Sequence, residues 1–210
     1  MASLRRIASA VENGKNKEVV ALVNEALEDG VAPETILQDG MMAAMETIGR
    51  RFSENEIFVP EMLVAARAMK KGVEVLQPHL VGKDTTNRGK VIIGTVEGDL
   101  HDIGKNLVSM MLAGVGFEVI DLGVDVPAVK FVEELKHNPD TKIVAISALL
   151  TTTISAIRQT VEALKEAGLR DKVLIMVGGA PVTKSFAESI GADAYTVDAG
   201  AAAEWAKNNA

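Results

Sequence analysis

The 210-residue chain contains no cysteine. Disulfides, thiolate nucleophiles and Cys-ligated zinc or iron–sulfur centres are therefore excluded. Aromatic residues make up 3 % of the chain, so a core must be assembled from Ala, Val, Ile, Leu and Met. An excess of basic charge is also missing: the formal net charge is -7, with no run of Lys and Arg against it. A nucleic-acid partner needs a basic face to neutralise phosphate, so none is expected. No apolar stretch reaches the roughly 20 residues that cross a bilayer, and no membrane partner is expected. The opening residues, MASLRRIASAVENGKN, hold an arginine pair but no long apolar segment. A secretory leader is not expected there, and the cytoplasm is the default location.

What the chain does have is apolar content, at 48 %, enough to build one large domain or two small ones. Two periodicities divide it. From Ala2 to about Gln77 apolar residues recur at helical spacing, as in NKEVVALVNEALEDG, which stops at Gly30. Pro33 and Pro60 each stand where a new helix would open. Four helices with short links predict an antiparallel bundle over residues 1–80. The polar stretch HLVGKDTTNRGK follows, and residues 81–89 read as a linker.

From Lys90 to Ala210 the pattern becomes strand–helix alternation. The runs KVIIGTV, FEVIDLG, KIVAISAL, KVLIMVGG and AYTV are β-branched and lack polar alternation, which implies burial on both faces. Helices are expected from Gly104, Pro127, Thr152, Thr183 and Ala199. The predicted fold is a helical bundle followed by a five-stranded parallel α/β domain, flavodoxin- or Rossmann-like, with strand order 2-1-3-4-5.

In such a sheet a ligand sits beyond the C-terminal strand ends, where the strand order reverses. The first strand runs there into GTVEGDLHDIGKN, which places Asp99, His101 and Asp102 on the loop. The third strand ends at Ser147, and the fourth at Gly178 and Gly179, which would allow close backbone approach. Asp99 is spaced to accept one ring N–H of His101, the arrangement that fixes the tautomer of a metal-ligating histidine. Ser147 could extend that relay to Asp99. His101 reads equally well as a loop histidine bonded to the backbone, and Asp102 as an N-cap. Thr151–Thr153 reads as an N-cap cluster or as a ligand contact. Gly94, Gly98 and Gly104 do not form a dinucleotide fingerprint. One histidine without cysteine cannot hold a bare zinc ion, whereas a macrocycle would bring its own ligands.

The succession Asp99-x-His101-x-x-Gly104, Ser147-x-Leu149 and Gly178–Gly179 resembles the pattern of cobalamin-binding domains. The helical half resembles the cap domain that precedes this fold in methionine synthase and in corrinoid proteins of methyltransferase systems. The resemblance implies cobalamin or a related corrinoid as cofactor, passing through a methylcobalamin form. It makes His101 the lower axial ligand of cobalt, with Asp99 and Ser147 in the catalytic relay behind it. Gly98, Asp102, Ile103, Gly104, Leu149, Thr151, Gly178 and Gly179 would contact the cofactor, with Phe52, Val59 and Met62 of the cap above its reactive face.

The implied function is a methyl carrier, which does not turn over alone. Co(I) takes a methyl group from a donor, and methyl-Co(III) yields it to tetrahydrofolate or a thiol. The implied partners are a substrate-specific methyltransferase, a corrinoid-to-acceptor methyltransferase and a reductive activase. The donor, whether methanol, methylamine, betaine, thioether or aryl methyl ether, is not named by any residue. Lys83–Gly89 is the expected hinge. Three other readings compete. The small cobalamin-binding subunit of a radical mutase is disfavoured by the helical cap. A cobalamin-dependent light sensor or regulator would carry a DNA-binding segment. A receiver-like or flavin-binding signalling domain would want an aspartate in place of Ser147 or a first loop that is not acidic.

Overall fold

The computed structural model describes residues 2–80 and 88–210. Two compact units divide them: the helices up to Leu80, with Gly114–Gly116 assigned to the same unit, and the remainder from Arg88 onward. Most of the expected hinge, Lys83 to Asn87, lies outside the described residues.

In the first unit, α1 (Ala2–Glu12) and α2 (Asn16–Glu28) are followed by the short α3 (Pro33–Thr35). Pro33 opens α3, where its missing N–H would have had no helical partner. The helical path then continues through a π-helical stretch, Ile36–Met42, into α4 (Ala43–Ser53). The sequence pattern gives no hint of that stretch. Its wider turn buries five of seven residues, Ile36, Leu37, Gly40, Met41 and Met42, more than one α-helical stripe allows. Helix α5 (Val59–Leu80) runs through Pro78 and ends at Leu80, three residues beyond the expected stop at about Gln77. Its buried stripe of Met62, Ala65, Ala68, Met69, Gly72 and Leu76 faces the core at helical spacing.

The second unit alternates β1 (Lys90–Thr95), α6 (Ile103–Gly114), β2 (Glu118–Asp121), α7 (Ala128–His137), β3 (Thr141–Ser147), α8 (Ile154–Glu166), β4 (Leu174–Gly178), α9 (Lys184–Ile190), β5 (Ala194–Tyr195) and α10 (Ala199–Asn209). All neighbouring strands pair in parallel, in the order β2-β1-β3-β4-β5 expected from the sequence. Right-handed crossovers then place α6 on one face and α7, α8 and α9 on the other. Strand residues alternate accordingly. Ile92, Val144, Ile146, Ile175 and Val177 join Phe131, Ile157, Val161 and Leu164 in one core, while Val91, Ile93, Ile143, Ala145 and Met176 are buried on the opposite side. Thr183 and Asp198 cap α9 and α10 by accepting from the N–H groups of Phe186 and Ala201. Among the described residues no helix is long and apolar enough to cross a membrane.

The strand order reverses between β1 and β3. Their registers bring Thr95 beside Ser147, and Ser147 beside Gly178, at the C-terminal ends. The loops that leave those ends carry the unusual polar residues.

Candidate functional site

The chain leaves β1 through a turn in which the Asp99 N–H donates to the Val96 carbonyl, at 3.1 Å. Gly98 sits in that turn with φ +81°, a backbone that side chains disfavour. The turn sends the Asp99 side chain inward, where it is fully buried. A buried carboxylate must be met by donors, and five are present. Oδ1 accepts from the ring Nδ1 of His101 at 2.7 Å and from the His101 backbone N–H at 3.1 Å. Oδ2 accepts from the Leu149 N–H at 2.7 Å, the Leu150 N–H at 3.2 Å and the Thr153 hydroxyl at 2.8 Å.

Burial by itself pushes the Asp99 carboxyl up. The bonds from the Leu149 N–H, the His101 ring, the Thr153 hydroxyl and the His101 N–H together outweigh it, and hold the group well below the usual carboxylate range. An ionised Asp99 has no proton to give, so Nδ1 of His101 carries the hydrogen of their contact. A neutral ring then has its lone pair at Nε2. The His101 side chain is 48 % exposed, so the imidazole is anchored at one nitrogen and accessible. The Thr95 hydroxyl fixes the same loop by donating to the His101 carbonyl at 2.9 Å.

The hydroxyl on Asp99 belongs to Thr153, which corrects the expected relay through Ser147. Ser147 is the last residue of β3, whereas the chain turns through Leu149 and Leu150 and brings Thr153 back over Asp99. Thr153 stands at the N-cap of α8 without a capping bond from its side chain; its one hydroxyl hydrogen goes to Asp99, with the Leu150 carbonyl also within reach. Thr153→Val keeps the shape and removes that donor. It should cost about 1 kcal/mol of unfolding stability in urea, and a midpoint equal to wild type would mean that the bond contributes nothing.

Other expected site residues divide. Asp102 precedes α6 and its carboxylate takes the Asn106 side-chain amide at 3.1 Å rather than a backbone N–H. Ile103 and Gly104 open α6 at the surface, and Thr151 is exposed on the β3–α8 turn. Gly178 and Gly179 end β4 beside Ser147, but Gly179 is required by the chain itself: an added Cβ would lie 1.8 Å from the Ala148 carbonyl oxygen. In the helical unit Phe52 and Val59 are partly buried. Met62 is fully buried on the core stripe of α5, which removes it as a surface contact. Phe58, not singled out in the sequence, is 65 % exposed; its place just before Val59 and Pro60 was the available signal. Lys105 was missed as well. Its side chain is buried and its ammonium donates to Asp121 at 2.5 Å and to Asn106 at 2.7 Å. A lone lysine in the apolar run IGKNLVSMMLAG could have drawn notice.

The loops that carry and hold His101 also present exposed apolar side chains, alongside the exposed carboxylate of Asp102. Leu100 and Ile103 are 72 % and 73 % exposed, and Leu149 and Leu150 are also exposed. Such a group beside one available nitrogen suits a large apolar ligand with a single coordination vacancy.

Comparison with known proteins decides the family. The sequence profile described as B12 binding domain matches residues 89–205, and a second profile of that description matches residues 3–77. The chain is 44 % identical over 204 residues to dimethylamine corrinoid protein 3 of Methanosarcina acetivorans, covering 97 % of this chain and 95 % of that protein. It is 52 % identical over 175 residues to trimethylamine corrinoid protein 2 of the same organism, covering 82 % and 80 %. The chain belongs to the B12-binding corrinoid proteins.

The solved methanol:cobalamin methyltransferase complex MtaBC of Methanosarcina barkeri contains a chain of the same fold as this corrinoid protein. The TM-score is 0.87 at 31 % identity, over 99 % of this chain and 79 % of that one. Cobalamin or a related corrinoid is therefore the cofactor of this corrinoid protein. Its residues fit the group. Among the described residues no three His, Cys, Asp or Glu side chains group together as metal ligands, and His101 would supply a single nitrogen to a metal whose other ligands came with it. Gly104 gives a second sign. A Cβ there would meet no atom of the chain within 4 Å, and its φ is not positive, so neither packing nor backbone calls for glycine at that helix start. A group passing over it would.

Proposed function

We propose that this corrinoid protein is a methyl carrier, serving a partner methyltransferase that uses a methylated amine as donor. The pair formed by buried Asp99 and accessible His101 carries the proposal. The bound corrinoid supplies a cobalt centre that accepts a methyl group from one substrate and releases it to another. Asp99 fixes the tautomer of His101, so that Nε2 would offer its lone pair to the cobalt of the bound corrinoid. Thr153, Leu149 and Leu150 hold Asp99 ionised and in place. Leu100, Ile103, Leu149 and Leu150 offer apolar surface and exclude water from that face. Gly104, with Ser147 and Gly178 at neighbouring strand ends, leaves room for the extended tail of the cofactor. Gly98, Asp102 and Thr151 complete the lower rim.

The helical residues 1–80 are assigned the cap role, residues 81–89 the linker and residues 90–210 the corrinoid-binding domain. Phe58, together with Phe52 and Val59, replaces Met62 as the apolar contribution of the cap. The amine donor class rests on the relatives named for dimethylamine and trimethylamine, which are more similar in sequence than the methanol protein. The acceptor, tetrahydrofolate or a thiol, is chosen by a second methyltransferase, and a reductive activase restores the carrier after oxidation.

The test begins with purified apo-protein, hydroxocobalamin and a desalting column. A corrin spectrum should co-elute at about one equivalent, which corresponds to binding that survives dilution. His101→Ala should retain most of the colour while its Co(II) form loses histidine-nitrogen splitting in the EPR spectrum. Gly104→Ala should leave the apo-protein as stable as before, or up to about 1 kcal/mol more stable through helix propensity. The same methyl should weaken corrinoid retention about tenfold by crowding. A colourless wild-type fraction would reject the carrier reading, and a Gly104→Ala protein that binds normally would remove that residue from the cofactor path.

A further inference from the structure

We infer that Asp125, on the connection between β2 and α7, is a positioning residue for His101. The inference rests on the reading of His101 as the cobalt ligand and deepens it. Among the described residues only Asn55 and Asp125 have a positive φ without being glycine, and Asp125 stands at +54°. That backbone is uncommon outside glycine, aspartate and asparagine being the residues that most often adopt it, and here local contacts hold it. Two hydrogen bonds do so, and both end on the histidine loop. The Asp125 carboxylate accepts the Gly98 N–H at 2.7 Å. The Asp125 N–H in turn donates to the Asp99 carbonyl at 2.9 Å. The left-handed turn aims both groups of one residue at two consecutive residues of the opposite loop.

Further ties strengthen this clamp. The Thr95 N–H donates to the Gly123 carbonyl at 3.0 Å, and the Val126 N–H to the Thr95 carbonyl at 3.0 Å. Asp121 accepts the Gly123 N–H on one carboxylate oxygen and the Lys105 ammonium on the other. The connection from Asp121 to Val126 is therefore stitched to the chain on both sides of His101, at Thr95, Gly98 and Asp99 before it and at Lys105 after it. Asp99 is gripped twice. Its side chain is held from the β3 side by Leu149, Leu150 and Thr153, and its backbone from the β2 side by Asp125.

Gly98 makes that second grip matter. Glycine has the widest choice of backbone conformations, and this one sits immediately before the residue that orients the imidazole. With the Gly98 N–H released, the turn samples other conformations, and the backbone of Asp99 and the ring it holds move with it. A single direction for Nε2 becomes a spread of directions, which lowers the occupancy of any one ligation geometry. The described bonds of Asp125 go to Gly98 and Asp99 and none to the His101 ring, so it acts through Asp99.

Two variants of the whole chain test this. Asp125→Gly removes the carboxylate and suits the left-handed backbone, so its Tm should stay near wild type. Asp125→Asn keeps a side-chain carbonyl for the Gly98 N–H and tolerates the left-handed conformation. Hydrogen exchange of the Gly98 amide in apo-protein should accelerate about tenfold or more in Asp125→Gly, the size expected for loss of one charge-assisted bond, and stay near wild type in Asp125→Asn. After loading with cobalamin and reduction to Co(II), the ratio of histidine-ligated to unligated cobalt in the EPR spectrum should fall by a similar factor in Asp125→Gly alone. Wild-type protection and full nitrogen splitting in Asp125→Gly would overturn the inference. So would an Asp125→Asn protein as impaired as the glycine variant, which also covers the case in which Asp125→Gly does not fold. If wild-type protein itself shows no histidine nitrogen, the ligand reading fails, and with it the positioning role; Gly98 exchange would then report the hydrogen bond alone.

Discussion

Asp99→Asn should lose about 2–3 kcal/mol of unfolding stability at pH 7, although it replaces a single oxygen by an amide nitrogen. The carboxylate receives five donors and faces no acceptor. An asparagine has one accepting oxygen and two hydrogens to place. If the oxygen faces His101, the NH2 group confronts the N–H groups of Leu149 and Leu150 and the Thr153 hydroxyl. If it faces those, the NH2 confronts His101, and the ring loses the bond that fixes its tautomer. Either way buried donors meet donors. The pH dependence follows from the direction of the Asp99 shift. Its folded value lies below the ordinary one near 3.9, so its contribution is fully present above that value and is lost as pH falls toward the folded value. Wild-type stability should therefore decline in acid, and the gap between wild type and Asp99→Asn should narrow there. Urea midpoints at pH 7 and pH 3 measure both; equal stability at pH 7 would show that the five-donor site tolerates an amide.

Gly179→Ala should be at least as damaging, with an expected loss of about 3 kcal/mol or more. Gly179 has φ +123°, and its added Cβ would lie 1.8 Å from the Ala148 carbonyl oxygen. The obstacle is backbone, so no side-chain rotation relieves it. The β4 turn must move away from the end of β3, and Ala148 directly precedes the Leu149 and Leu150 amides that hold Asp99. Corrinoid retention should fall together with stability. Gly178→Ala is the control: its nearest contact would be the Thr196 carbonyl oxygen at 3.3 Å, which a small shift accommodates. Guanidinium unfolding of the two variants separates them, and a Gly179→Ala protein within 1 kcal/mol of wild type would contradict the predicted clash.

The parts of this structure legible in the sequence are those fixed by periodicity and short spacing. Buried strands such as KVIIGTV and KIVAISAL show their type because neither face carries polar residues. The Asp99–His101 contact is legible because two residues on one turn cannot be far apart. Thr153 was not, because Ser147 and three threonines, Thr151 to Thr153, offer hydroxyls at the end of the same strand, and only the turn through Leu149 and Leu150 selects among them. Met62 and Phe58 stand four residues apart near one helix start, and the pattern does not say which of them faces the core. Asp125 is hidden for a different reason. Its role depends on a left-handed backbone, which an aspartate does not announce as glycine would, and on partners 26 and 27 positions earlier in the chain. The π-helical stretch is equally silent, since one widened turn leaves the apolar spacing nearly unchanged.

The sheet margins bear on how the molecule behaves in a crowd. Its outer strands are short: β2 spans four residues and β5 two. β2 also begins with the exposed Glu118, so a second copy approaching that margin meets a negative charge there. A neighbour adding a strand at either side would gain few hydrogen bonds. Together with a net charge of -7, this discourages copies from polymerising through their sheets.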